Sequence, residues 1–275
     1  MQTNSRFPLF VISLDIGGTK IAGCILRYRS RDNAPEIVFH DKVDAEAKKG
    51  VDAFASNIIG LAKSLKAKAE EIDSSVPVIA IGMGCAGRIN KDSGNVMTAT
   101  DNFPGFVGYA LCANVSKVIG VPAYALNDVQ AHTMGEFRWG AGRDSDNFIL
   151  LAIGTGIGGC AVLNGKLMLG SHGYAGELGH VQVSLGHDVP CTCGKAGHLE
   201  AVASGSGIEL SFAKLKGIKL SGAEISKLAN EGDEDAIASI ELAGRSLGRV
   251  IAMYHSVFDP EKIILGGSVI KSGKI

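Results

Sequence analysis

Two short apolar runs, "FVISL" at 10–14 and "IAGCILRY" at 21–28, flank the turn "DIGGTK". Their length and bounding turn residues predict two strands of a β-meander, with a third near "IVF" at 37–39. Between 52 and 69 the period changes: in "DAFASNIIGLAKSLKAKA" apolar positions recur at helical spacing opposite a lysine-rich solvated face, which predicts a surface helix before the strand "VIAIGM". After the loop "NKDSGNVMTATDNFPGF" a helix is predicted near 107–119, then the strand "AYAL". A further helix opens in "NDVQAHTMGEF", where Asn127 or Asp128 can cap. "NFILLAIGTGIGGCAVLNGKLMLG" follows with a strong hairpin signal at Asn164-Gly165. The last third is helical in "SGSGIELSFAKL", "SGAEISKLANEG" and "EDAIASIELAGRSLGRVIAMYHSVF"; Pro260 stops it before the strand "KIILGGS".

An internal repeat emerges when the glycine turns are compared. "LDIGGTKIAGCIL" (14–26) aligns without gaps on "LAIGTGIGGCAVL" (151–163), strand on strand and turn on turn. This predicts two related α/β lobes, 1–120 and 121–275. A length of 275 residues with 46% hydrophobic content suits one large or two ordinary domains. The net charge of -1 supplies no field that would draw nucleic acid or an anionic membrane to the whole surface. The N-terminal apolar run, about eight residues without a cleavage pattern, falls short of a membrane span or secretory leader. A cytoplasmic setting is expected, where six cysteines are thiols or metal ligands rather than disulfides. Cys24, Cys85, Cys112 and Cys160 sit singly in apolar runs and read as core.

Gly154, Gly156 and Gly159 match G-x-G-x-x-G, yet a dinucleotide fold needs a helix after the glycines and here a β-hairpin continues. Such turns can still hold phosphate on exposed backbone N–H groups. In the first turn Asp15 could hold Mg²⁺, and Thr19 and Lys20 add a hydroxyl and a cation. Asp128, after an apolar strand, is either a helix cap or a carboxylate able to take a proton from a substrate hydroxyl. In "GELGHVQVSLGHDVPCTCGKAGHLE" the residues His180, Cys191, Cys193 and His198 supply the two nitrogens and two sulfurs of a closed tetrahedral zinc site, with His187 as a spare. Unliganded thiols in a tight turn are the alternative, and C-x-C is not the redox C-x-x-C. Zinc there would also fix Glu177 and Glu200, whose carboxylates suit a polyhydroxylated ligand.

In chain order "DIGGTK", "GMGCAGRIN", "ND" at 127–128, "GTGIGG", "GYAGELGH", "CTCGKAGHLE" and "LGGS" resemble the ROK family of bacterial sugar kinases and regulators, and the resemblance covers nearly the whole chain. It implies the two-lobed actin and hexokinase-like ATPase fold, with ribonuclease H-like duplicated lobes, a zinc loop and an active site in the cleft between lobes. Asp15, Gly17, Gly18, Thr19 and Lys20 correspond to the first phosphate segment, and Gly154, Thr155, Gly156, Gly158 and Gly159 to the second. Gly266, Gly267 and Ser268 resemble the turn beside the adenosine. Asp128 matches the catalytic base, Asn127 a sugar-binding partner, and Asn102 a sugar-contacting loop. Glu177, His180 and Glu200 match residues that hold sugar hydroxyls, and His180 also matches a zinc ligand with Cys191 and Cys193. The implied activity is phosphorylation of a hexose or N-acetylhexosamine by ATP with Mg²⁺, at the 6-hydroxyl of glucose, N-acetylglucosamine or N-acetylmannosamine. A structural Zn²⁺ and a homodimer come with the resemblance.

Two features depart from the family. His198 stands where the zinc loop usually has its last cysteine, which predicts a changed donor set at a surviving site. Past "LGGS" the sequence reads "VIKSGKI" where relatives continue through helical sequence near the nucleotide; an end at that point would bear on both ATP affinity and stability. Family repressors carry a helix-turn-helix domain before the first phosphate motif, and 14 residues precede Asp15 here, so a kinase is expected. The alternative is a catalytically weak sugar-binding or regulatory protein.

Overall fold

A computed structural model describes residues 7–100, 102–183 and 189–272. The chain divides into two compact units, Met1–Trp139 with Ser171–Gly173, and Gly140–Gly170 with Tyr174–Ile275.

In the first unit, β1 (Leu9–Ile16), β2 (Lys20–Tyr28) and β3 (Glu36–Asp44) form an antiparallel meander. The helix α1 (Val51–Ile72) crosses to β4 (Val78–Cys85), which lies parallel to β1. A short ribbon of β5 (Arg88–Ile89) and β6 (Val96–Thr98), then α2 (Leu111–Ile119), lead to β7 (Ala123–Asn127), parallel to β4, and to α3 (Asp128–Trp139). The sheet order is β3-β2-β1-β4-β7. Alternation in β1 buries Phe10, Ile12, Leu14 and Ile16 in one core with Phe54, Ile58, Leu61 and Leu65 of α1. Gly23 lets that helix approach, since a Cβ there would lie 2.5 Å from Leu65 Cδ1 and 2.8 Å from Leu14 Cδ2.

Three expectations shift. The third strand is nine residues rather than three, because its mostly exposed edge position tolerates polar residues that hid its pattern. The helix expected near 107 starts at Leu111; Gly108 has φ +86°, and Phe103 and Phe106 are drawn instead into an aromatic cluster with Phe54. The boundary expected between 120 and 121 falls at Trp139/Gly140, because the β4-α2-β7 crossover adds β7 to the first sheet by parallel pairing.

In the second unit, β8 (Phe148–Ile153), β9 (Ile157–Leu163) and the two-residue β10 (Lys166–Leu167) form a second meander. Asn164 and Gly165 both have positive φ at its tight turn, as the Asn-Gly pair predicts. The helices α4 (Leu199–Ala203), α5 (Gly205–Lys216), α6 (Gly222–Asn230) and α7 (Glu234–Phe258) precede β11 (Lys262–Gly266), which pairs parallel with β8. The order β10-β9-β8-β11 reproduces β3-β2-β1-β4, so the repeat seen in sequence is a repeat of architecture. Leu151, Ile153, Leu199, Phe212, Val250 and Tyr254 are core residues here. Among the described residues no helix is long and apolar enough to cross a membrane.

Candidate active site

In the first unit the β1–β2 turn closes on itself: the Gly17 N–H donates to the Lys20 carbonyl at 3.1 Å, and the Ala45 N–H donates to the Thr19 carbonyl at 2.9 Å. Asp15, Thr19 and Lys20 are all exposed. The Phe103 ring lies against Gly18, where a Cβ would be 3.2 Å from its edge, so the loop that bears the exposed Asn102 is anchored at this turn.

Asn127 and Asp128, both able to cap α3 by sequence, separate clearly in structure. Asn127 Oδ1 accepts the N–H groups of Val129 and Gln130 at 3.0 and 3.3 Å, which is the cap, and its Nδ2 donates to the Gly87 carbonyl at 2.9 Å. Asp128 becomes the first helical residue, with its carboxylate accepting the adjacent Val129 N–H at 2.9 Å. Solvent reaches it, yet surrounding protein desolvates the carboxylate and raises its pKa; the Val129 N–H opposes this and the charge of Asp15 adds to it. Cys85, at the end of β4, is pushed up to about 12 by burial and then by Asp128 and Asp15, and stays a thiol.

In the second unit the β8–β9 turn is one residue shorter and closes through the Gly154 N–H, which donates to the Gly156 carbonyl at 2.9 Å. Three segments converge on it. Gly267 has φ +99° and would place a Cβ 2.2 Å from the Ile153 carbonyl oxygen, so the turn containing Gly266, Gly267 and Ser268 sits directly against the end of β8. At the start of α5 the Gly205 N–H donates to the Gly154 carbonyl at 2.8 Å. Glu200 Oε2 accepts the Ile157 N–H at 3.1 Å. The sequence marks the α5 start only as a helix, and its run "SGSG" carries the further signal, because Ser204 caps the helix and Gly205 leaves room for the turn.

The segment of Glu177 and His180 is pressed along β9 by small residues: a Cβ on Gly179 would lie 1.9 Å from the Ile157 carbonyl oxygen, and one on Gly159 would lie 2.6 Å from Leu178 Cβ. The Tyr254 hydroxyl of α7 donates to the Leu178 carbonyl. Glu177 is exposed, and its Oε2 lies 3.8 Å from His180 Nε2. The other ring nitrogen, His180 Nδ1, is 3.6 Å from Cys191 Sγ, while Cys193 Sγ is 3.2 Å from His198 Nδ1. All four ligand atoms lie within 4.8 Å of one another. Zinc–sulfur bonds near 2.3 Å and zinc–nitrogen bonds near 2.0 Å put sulfur and nitrogen about 3.5 Å apart in a tetrahedron, so the donor types and spacing suit such an ion. Burial, and then the neighbouring His180, hold the His198 pKa below its usual value and favour the neutral, coordinating imidazole. Burial pushes the Cys191 thiol up to about 11. The spare candidate His187 lies outside the described residues.

The sequence model of the ROK family matches residues 11–275. The chain belongs to the ROK family. This ROK protein is 31% identical to a glucokinase of Halalkalibacterium halodurans over 95% of its own length and 81% of the relative's. It is 30% identical to an N-acetylmannosamine kinase of Escherichia coli, over 94% of its own length and 82% of the relative's. Its fold is similar to the crystal structure of a ROK hexokinase from Thermus thermophilus, with a TM-score of 0.82 and 28% identity over 97% of this chain and 84% of that one.

Proposed function

We propose that this ROK-family chain is an ATP-dependent sugar kinase that phosphorylates the 6-hydroxyl of a hexose or N-acetylhexosamine. The observation that carries this reading is the division of labour at the start of α3: Asn127 caps the helix, which leaves the Asp128 carboxylate exposed beside Asp15 with a raised pKa. The similarity to kinases for glucose and for N-acetylmannosamine supports the substrate class.

Asp128 accepts the proton of the sugar hydroxyl as that oxygen bonds to the γ-phosphorus of ATP and the bond to the ADP leaving oxygen breaks. Its role is orientation and charge control, as phosphoryl transfer requires. Asp15 would hold Mg²⁺, and the N–H groups of the turns at 17–20 and 154–159 would meet the phosphates. Glu177 and Glu200 would accept and orient sugar hydroxyls, and His180, its Nδ1 on the metal, would donate its Nε2–H to a sugar oxygen, with Asn102 and Asn127 as further contacts. His180, Cys191, Cys193 and His198 would hold Zn²⁺; four protein ligands leave no open position, so its role is structural. By family analogy the protein is a cytoplasmic homodimer.

ATP turnover with glucose, N-acetylglucosamine and N-acetylmannosamine, with the phosphorylated carbon located by NMR, tests the reading. Transfer to the 6-hydroxyl of at least one is expected. Sugar binding without transfer to any would turn the assignment toward a regulatory protein.

A further inference from the structure

Glu200 is gripped from two directions within the second unit. Its Oε1 accepts the Thr192 hydroxyl at 2.6 Å and the Cys191 thiol at 3.5 Å; its Oε2 accepts the Ile157 backbone N–H at 3.1 Å. The grip on the turn is close, because a Cβ on Gly156 would lie 2.5 Å from Oε2. Ile157 is the residue at which the chain leaves the second glycine turn for β9, and its carbonyl faces Gly179, between Glu177 and His180. One peptide residue therefore joins the glycine turn, the Cys/His loop and the Glu177–His180 segment. A thiol is a weak donor at that distance, so the short bond from the Thr192 hydroxyl is the main restraint on the otherwise rotatable carboxylate.

We propose that Thr192, an exposed residue between the two loop cysteines, is a positioning residue: its hydroxyl fixes Glu200 and, through Glu200, the Ile157 end of the second glycine turn. Thr192 thereby sets the sugar-holding carboxylate and the phosphate-holding backbone in register. That consequence for ligands rests on the kinase reading; the restraint on Ile157 does not.

The test compares the full chain with Thr192→Val, which keeps the shape and removes the donor, and with Thr192→Ser, which keeps the donor, all at equal metal content. Hydrogen exchange at the Ile157 amide should quicken about tenfold in the valine variant and stay near wild type in the serine variant, as expected from releasing one hydrogen bond to a charged acceptor. KM for sugar and for ATP should both rise severalfold in the valine variant and return in the serine variant, with kcat changed less. Unchanged exchange at Ile157 in the valine variant overturns the proposal, whether or not the protein is an active kinase. In an active enzyme, faster exchange with both KM values unchanged overturns it too. If the wild type phosphorylates no sugar, the kinase reading fails on its own and exchange alone decides the role of Thr192.

Discussion

The two glycine hairpins share strand order and differ in what arms and supports them. The first, β1–β2, is armed with side chains, for Asp15, Thr19 and Lys20 are all exposed, and its turn is held by backbone bonds within the meander and just beyond β3. The second, β8–β9, has no charged residue between Gly154 and Gly159 and offers mainly backbone. Its shape is imposed from outside, by Gly267 against Ile153, Gly205 on Gly154, Gly179 against Ile157 and Glu200 on the Ile157 N–H. Duplication of one scaffold thus leaves one turn sensitive to chemistry and the other to geometry.

Substitutions should expose that division. Gly267→Ala places a methyl against a carbonyl oxygen at a residue with φ +99°, so unfolding by denaturant should report a loss of about 3 kcal/mol, whereas Gly18→Ala, facing only the edge of Phe103, should cost about 1 kcal/mol or less. Equal costs at the two positions would erase the contrast. Asp15→Asn should reverse the pattern: turnover falls about a hundredfold with a higher Mg²⁺ requirement, while the unfolding midpoint barely moves. His198→Ala should lower zinc affinity by about tenfold or more in competition with a chelator and weaken sugar binding through the loop. If metal content and sugar affinity are both unchanged, His198 is not a ligand. The smallest effect is on the pH profile: because the Asp128 pKa is raised, kcat/KM should fall with decreasing pH at values above the ordinary aspartate range, as protonation removes the proton acceptor.

Local signals explain which parts of this molecule are legible in its sequence. The hairpin turns, the helix α1 and the grouping of His180 with Cys191, Cys193 and His198 follow from periodicity or from short separations along the chain. The extent of β3 is hidden because an edge strand with exposed faces needs no apolar alternation. The choice between Asn127 and Asp128 as cap is open in sequence because either side chain can accept the same N–H groups, and only the fold, through the Asn127 bond to Gly87, separates them. The place of β7 in the first sheet depends on a parallel pairing across a crossover, which leaves no local mark. Nor does the bond from Glu200 to Ile157, which spans 43 residues.

The central claim is that Asp128 accepts a proton in transfer to a sugar hydroxyl, and Asp128→Asn tests it most directly when turnover and sugar binding are measured on the same samples. The expected result is a loss of about a thousandfold in kcat with sugar affinity by calorimetry close to wild type. Turnover within a few-fold of the wild-type rate in that variant would contradict the assignment of Asp128 as the base.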